Sequence, residues 1–582
     1  MGAHFTQSPS LFQVDVGLSG SYHILMMKTL FTLRRLLLLT SISGLIFACE
    51  SQGCEGCQQE PIPGGFPVSH RFENAIQVRV ARHGLDFLEE NFESLVATIV
   101  PTGLTFDIPP TGCTSNDQKI CCDGNPCSAS MDIQSVSITP ISPNKTKLHV
   151  NATVQTTKIK YQTYQLFSWW TCDVQYDSTE GSPSTLGLDA DVDLIIQADR
   201  KLKIQRSNTS FSNVQCGDIS ISGSWYCTVA DWLCTFFRGT IENGVTEAIN
   251  DTVDSLLEEL PTGQEGRFDL ASFMSDFSPT TGSKMDYILW GGGYAQAEND
   301  GVSAGTLAGF KALVQNPCVP DCEATGSICT PPPKPEIVRS PIFRGNERPD
   351  GKPFQVGLGI HQFALDMAAY AMYKSGGLCL DVGANLVSQL SSDIFGYMFS
   401  SLPKLTGGKN VPIKLSFRPM VPVDISFGAG KYHEDNNGIL VIDEPLITLS
   451  ARDFTIHVYV LIDNRYIRLF TVTGDLVAPA MLFADANGDL QIILGELKNA
   501  LTNVRVENAE LIEESPEELA AVFPTLVGIG ASFAASGLEP IPLPSIQGIK
   551  MLLDEGSITS VENNQILALF ANLSLAAQQS SS

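Results

Sequence analysis

From Leu85 onward apolar residues recur at helical spacing. Leu85, Leu88, Phe92, Leu95, Val96 and Ile99 form one stripe, with Glu89, Glu90 and Glu93 between them. A short alternating piece precedes them, Val78 and Val80 apolar, Gln77 and Arg79 polar, and His83-Gly84 marks the change of period. Residues 76–100 therefore predict a strand that turns into an amphipathic helix, ended by Pro101. A period of two then takes over. Leu188, Ala190, Val192, Leu194 and Ile196 alternate with Asp189, Asp191 and Asp193, and Leu148, Val150, Ala152 and Val154 repeat the pattern, as half-buried antiparallel strands do. A second helix is expected over about 229–260, where Ile241, Val245, Ala248, Ile249, Val253, Leu256 and Leu260 share a face and Pro261 closes it.

Residues 262–350 change character. Gly292-Gly293, the Pro-rich run 331–335 and three Cys suggest an inter-domain connector with some local folding. The pattern then restarts. Residues 356–374 read as a helix with Ile360, Phe363, Ala364, Met367 and Ala371 on one side and Gly376-Gly377 as its stop. Strands are expected at 413–427, 438–450, 454–462 and 465–477, with turn chemistry at 435–438. A closing helix over about 516–535 carries Leu519, Val522, Phe523, Leu526 and Phe533. The run 540–544 ends it, before two last strands near 546–558 and 565–575. Helix, antiparallel strands, helix, then the same order again predicts an α+β chain of two tandem barrel-like antiparallel sheets, each carrying two long helices.

Four separated segments resemble, in order, the bactericidal/permeability-increasing and lipopolysaccharide-binding protein family of tubular lipid-binding proteins. The opening V-R-V-A-R-H-G-L-D-F (78–87) is similar to the family's N-terminal signature, and 227–261, with Tyr226 before it, to the long helix closing its first domain. Residues 356–380 resemble the second domain's first helix, and P-I-P-L-P-S-I-Q-G-I-K-M-L-L (540–553) the proline-rich return to the last strands. The resemblance implies a boomerang of two barrel domains around a central sheet, each with an apolar slot for acyl chains. Such a slot holds lipid without charge, since each exposed CH₂ costs ~0.8 kcal/mol. It points to Leu88, Phe92, Leu95, Ile241, Val245 and Ile249 as lining the first slot, and to Phe363, Met367, Tyr370, Leu519, Phe523 and Leu526 as lining the second. Plain core packing is the alternative for any one of them. The resemblance also implies a disulfide from a strand to the first closing helix, which Cys172 or Cys216 with Cys227 or Cys234 could supply.

Charge narrows the ligand. Thirty-six basic against 63 acidic residues give −27 over 582 residues, which excludes nucleic-acid binding and disfavours electrostatic attraction to anionic lipid. Family members that capture lipopolysaccharide present basic loops. Here only Lys158, Lys160, Arg200, Lys201, Lys203 and Arg206 stand in the first half, and the last four read equally as a solvated strand face.

The first 48 residues read as a signal peptide with an over-extended start: Lys28, Arg34 and Arg35 precede an apolar run at 36–47 that ends Ile46-Phe47-Ala48-Cys49. That ending loosely matches a bacterial lipobox, with Cys49 the acylated residue; ordinary secretion is the alternative. Glu50 in place of Asp favours an outer-membrane lipoprotein of the bacterial cell envelope. Removing Cys49 from 15 Cys leaves an even number, suited to disulfides. Three clusters stand out, Cys54/Cys57, Cys113/Cys121/Cys122/Cys127 and Cys318/Cys322/Cys329. Zinc lacks nearby His, so bridged loops fit better. The chain divides as 1–48 signal, 49–69 tether, 70–261 first domain, 262–350 connector and 351–582 second domain.

Catalytic motifs are weak. Gly301-Val302-Ser303-Ala304-Gly305 has the G-x-S-x-G form, but residues 295–300 are too polar for the required strand, so a loop is expected there, with a possible helix at 306–314. Asp485, Asn487, Asp489 and Glu496 imitate a calcium loop, with Leu490 where Gly belongs, and a hairpin turn at Asn487-Gly488 fits better. His457 alternates with Ile456 and Val458 and is expected in solvent. No cofactor is implied. The leading expectation is a non-enzymatic lipid-binding or lipid-transfer protein, membrane-anchored, with phospholipid or another acyl lipid as partner. Alternatives are a structural or adhesive surface lipoprotein whose barrels are filled by side chains, and a hydrolase using Ser303.

Overall fold

A computed structural model describes residues 57–58, 62, 64–99, 104–122, 127–198, 200–223, 227, 231–258, 263–269, 283–321, 330–384, 390–435, 440–485, 488–495, 500–521, 545–546 and 549–575. In chain order the first half is β1 (Arg71–Ala81), α1 (Arg82–Glu90), α2 (Phe92–Ile99), β2 (Leu104–Asp107), β3 (Gln118–Ile120), β4 (Ser128–Ile141), β5 (Lys145–Thr156), β6 (Ile159–Gln165), β7 (Ser168–Tyr176), β8 (Leu186–Ile196), β9 (Leu202–Ser212), β10 (Ile219–Gly223), α3 (Asp231–Glu258), β11 (Gln264–Asp269), β12 (Lys284–Glu298) and β13 (Gly301–Ala312). The second half holds β14 (Val356–His361), α4 (Gln362–Ser375), β15 (Leu380–Gly383), α5 (Ser392–Met398), β16 (Ile413–Pro419), β17 (Asp424–Phe427), β18 (Ile447–Ile462), β19 (Arg465–Ala484), β20 (Leu490–Leu494), β21 (Leu501–Glu507), β22 (Ser545–Ile546), β23 (Ile549–Val561) and β24 (Ile566–Leu575).

The two halves meet in one antiparallel sheet, ordered β11-β12-β13-β1-β14-β24-β23-β22 with Cys57–Gln58 at its edge. Its centre is the β1–β14 pair, and the register there is that of a two-fold. Aligning the two strand-to-helix junctions matches Val78 with Leu358, Gly84 with Ala364, Leu85 with Leu365 and Asp86 with Asp366. Val78 is also the residue that pairs with Leu358. The duplication reaches the irregularities. Register slips between Thr306 and Ala304 in β13, which oppose Ile76 and Val78. It slips again between Ala571 and Leu569 in β24, which oppose Val356 and Leu358. A bulge at the same place in both halves bends both wings of the sheet alike.

On either side stands a second antiparallel sheet, β9-β8-β5-β4-β2 in the first half and β15-β16-β18-β19-β20 in the second, where β17 pairs with β18 and β21 with β19. A smaller sheet, β10-β7-β6-β3, belongs to the first half. The expected α+β architecture of two tandem curled sheets is what the chain forms.

Several local expectations change. Residues 262–350 are more than a connector, for β11, β12 and β13 lie within the central sheet. Both faces of that sheet are covered, so Met285, Tyr287, Ile288 and Leu289 are all buried and the two-residue alternation that would have revealed β12 is erased. Gly292 and Gly293 sit at its bulge, not in a loop. Ser303, placed in a loop by its neighbours, lies in β13 and is 2% exposed. The helix expected from 356 begins at Gln362, after a strand. Gly357 and Gly359 of that strand leave room for the Phe343 ring, which a Cβ at Gly359 would meet at 2.4 Å. The strand expected at 438–450 divides. Leu440–Glu444 pairs with Lys431–Glu434 in a hairpin of its own, and 447–450 joins the strand expected at 454–462 in β18, which has a register slip after Ala451 and Asp453 at φ 50°. His457 is half-buried instead of solvated, with Nδ1 3.0 Å from the Thr471 hydroxyl.

The stretch before β14 crosses the back of the central sheet. Phe343 and Phe354 pack on Phe570, and Gln77 and Arg79 of β1 reach up to hold the strap. Gln77 receives the Ser340 N–H at 2.9 Å and donates to the Val338 carbonyl at 3.1 Å. Arg79 is fully buried and donates to the Gly345 carbonyl at 2.5 Å, Ser303 Oγ at 2.9 Å, Glu298 at 3.2 Å and Asp300 at 2.7 Å.

Candidate functional site

α3 supplies the longest apolar face of the first half. Leu233, Phe237, Ile241 and Val245 stand four residues apart and are all buried, so the stripe expected from Ile241 onward begins two turns earlier. They pack onto the inner faces of β2, β4, β5 and β8 together with Phe92 and Val96 of α2, in one continuous cluster. Tyr176 stacks on Phe237 with ring centres 6.1 Å apart, and its hydroxyl donates to Asp218 at 3.3 Å. Burial raises the pKa of both groups above its ordinary value.

Two disulfides fix the entrance to the helix. Cys172 of β7 bonds Cys227, just before α3, and Cys216 bonds Cys234 in its first turn. Both pairs come from the two candidate sets of the strand-to-helix bridge. Cys113–Cys122, Cys121–Cys127 and Cys318–Cys379 complete the described bridges. Five disulfides suit an oxidising, extracytoplasmic compartment. Cys318 therefore pairs outside the cluster it was read with, while Cys322 and Cys329 lie outside the described residues. So do Cys49 and Cys54.

Where Val245 meets the sheet, packing leaves a void. Val150, Ala152 and Val154 of β5, Leu186 and Leu188 of β8, Phe211 of β9 and Val245 line a small gap of about 10 Å³, open on one side. No titratable side chain faces it. One residue earlier on α3, Gly244 lets Phe106 of β2 lie against the helix backbone; a Cβ would sit 2.1 Å from that ring. Charges stay on the opposite face of the sheet, where Asp189 pairs with Lys147 at 3.1 Å and with His149 at 3.0 Å.

The structure thus brings Phe92, Ile241 and Val245 into one cluster, and Val245 into the wall of the void. Leu95 is buried and Leu88 half-buried, while the side chain of Ile249 lies outside the described residues. In the second half the expected set divides. Phe363 and Met367 of α4 pack in the central cluster with Phe72 and Ile360. Leu519, 1% exposed, belongs to the cluster of β18 and β19 with Phe395, Phe399 and Phe470. Tyr370 is half-buried, with its pKa raised by burial, and Phe523 and Leu526 lie outside the described residues.

The sequence matches no family model and no curated protein. Among solved structures, a lipopolysaccharide binding protein is similar at 12% identity and a TM-score of 0.34, over 86% of this chain and 99% of that one. P47 of Clostridium botulinum E1 is similar at 10% identity and TM-score 0.21, over 86% and 99% of the two chains. P47 from Clostridium botulinum A2 gives 11%, 0.23, 86% and 97%. At these TM-scores the backbones superpose only in part, so function is read from this chain's own residues.

Ser303 is no nucleophile in this setting. Its Oγ receives hydrogen bonds from Arg79 at 2.9 Å and Arg339 at 2.8 Å and donates to the Phe343 carbonyl at 3.2 Å, away from solvent. No base is among these partners. At the proposed calcium frame, the Gly488 N–H donates to the Asp485 carbonyl and the Asp489 N–H to the Asp485 carboxylate at 2.8 Å, closing the β19–β20 hairpin; Asn487 and Glu496 lie outside the described residues. Among the described residues no three His, Cys, Asp or Glu stand together as metal ligands. No described helix is long and apolar enough to cross a membrane.

Proposed function

We propose that this protein is a non-enzymatic lipid-binding or lipid-transfer protein that takes an acyl chain between α3 and the sheet β9-β8-β5-β4-β2. The observation that carries the reading is the void at Val245, walled entirely by apolar side chains on the concave face of a curled sheet. The enclosed space is only about 10 Å³, room for a single water, so the loaded form needs the Phe211 and Val245 side chains to move aside and α3 to lift from the sheet. Leu88, Phe92, Leu95, Ile241, Val245 and Ile249 would line that chain's path, and Phe363, Met367, Tyr370, Leu519, Phe523 and Leu526 a second path in the other half. Acylation of Cys49 would tether the protein to a membrane of the bacterial envelope, with 70–261 and 351–582 as domains that share the central sheet.

Native mass spectrometry and organic extraction of the purified full chain test this. The expected result is a co-purifying phospholipid or other acyl compound, with uptake of a fluorescent fatty acid that Val245→Trp reduces at least tenfold. An extract free of lipid, together with no uptake, would refute it. The second reading, a structural or adhesive lipoprotein, draws support from the dense aromatic filling of the β18–β19 cluster and predicts that empty outcome.

A further inference from the structure

The β6–β7 hairpin ends in a turn made of Leu166 and Phe167, both at positive φ, 49° and 67°. A two-residue hairpin turn of this shape is the place for Asn-Gly, because only such residues take the left-handed region cheaply. Here a leucine and a phenylalanine occupy it, and they are 67% and 93% exposed. The turn thus departs from backbone preference and from solvation at once, and neither departure improves the packing of the fold.

The rest of the crest agrees. From Tyr164 to Trp170 the chain reads Y-Q-L-F-S-W-W, without a charge. Tyr164 and Trp169 oppose each other across the hairpin with ring centres 5.4 Å apart, and the Lys119 ammonium lies 4.4 Å from the centre of the Trp169 ring. Four strand positions further from the turn, Lys160 pairs with Asp173. Apolar tip, aromatic belt and lysine collar follow one another along the axis of the hairpin, in the order in which hydrocarbon, headgroup and water follow one another across a leaflet. The base is braced. Cys172–Cys227 holds β7, and Cys121–Cys127 and Cys113–Cys122 hold the segment that β3 runs into. A rigid stem can push such a tip into a membrane without losing its own order.

We infer that this hairpin is a membrane-docking probe that inserts Leu166 and Phe167 among the acyl chains of a lipid surface. A protein partner fits less well, since specific protein interfaces need about 1,000 Å² or more and the crest is two side chains wide. The probe goes beyond the acyl-chain reading and is independent of it: a chain with an empty cleft would still dock.

The test uses phosphatidylcholine vesicles with brominated acyl chains, which quench tryptophans at membrane depth. The full chain should lose fluorescence on mixing, and Trp169→Phe should remove part of that loss. The part of the quenching lost in Trp169→Phe reads the hairpin itself, whatever other tryptophan or part of the chain meets the lipid. The decisive variant is Leu166→Asn with Phe167→Gly, which relieves the turn and so should leave thermal stability equal or raised while cutting hairpin insertion at least ~100-fold, from the lost transfer of two large apolar side chains. Unquenched tryptophans in the parent, or a variant that inserts within about threefold of it, would overturn the assignment. Docking without lipid uptake would sink the cleft and spare the probe.

Discussion

Arg79→Met tests how the strap is held across the back of the central sheet. The guanidinium is wholly buried and joins the Gly345 carbonyl, Ser303, Glu298 and Asp300. Removing one partner of a buried ion pair costs about 3–5 kcal/mol, because the other charge stays behind without compensation. Two features set the expectation at the lower end. Glu298 keeps Arg339, whose Nη2 lies 2.9 Å from it, and the Asp300 side chain is 40% exposed and can be rehydrated. What remains without a donor is the half-buried Gly345 carbonyl. About 3 kcal/mol corresponds to roughly a 100-fold change in an opening equilibrium, at 1.4 kcal/mol per factor of ten. Hydrogen exchange followed by mass spectrometry should therefore show residues 338–345 losing about 100-fold protection, with β18 and β19 unchanged. Protection within threefold of the parent would mean that Phe343 and Phe354 hold the strap and that the arginine is incidental.

Two further outcomes follow from α1 and α4. Asp366 of α4 accepts the Ile425 N–H at 3.1 Å, and burial, helped by Asp424, pushes its pKa from 3.8 up to about 6. Its protonated form is thus favoured by folding, so its contribution to stability is full below 3.8 and is lost as pH rises through 6. Asp366→Asn should raise the free energy of unfolding in urea at pH 7.5 by on the order of 2 kcal/mol and change it little at pH 4; equal gains at both would refute the burial argument. Gly84→Ala places a Cβ 2.4 Å from the Gln355 carbonyl oxygen, a backbone atom that cannot step aside. Overpacking of ~1–3 kcal/mol opposes a gain of ~1 kcal/mol in helix propensity. A net loss of about 1 kcal/mol in urea unfolding is expected, and a stabilised variant would show that the β1–α1 junction can move away from β14.

Much of the first half was legible in its periodicity. The α3 stripe through Val245 and the alternation at Leu188 and Ala190 appear as one-sided elements. In the strand before the helix at 76–100 the order is inverted: Gln77 and Arg79 are buried and Val78 and Val80 half-buried, because both faces of the central sheet are covered. The duplication was legible in the same way, from the order of elements. β11 to β13 were not, because a strand covered on both faces shows no alternation, and the glycines that look like a linker are there to make a bulge and to admit a neighbouring chain.

The sequence by itself determined the local periods, the turn and stop residues and the acidic balance of charge. These depend on each residue and its near neighbours. Tertiary structure alone decided which halves share a sheet, which cysteines bond, that Ser303 lies sealed under two arginines, and that Phe363 and Leu519 serve different cores. The physical reason is that such contacts join positions far apart along the chain, as Val78 and Leu358 are, and their energy comes from covering a surface that neither partner's own sequence displays.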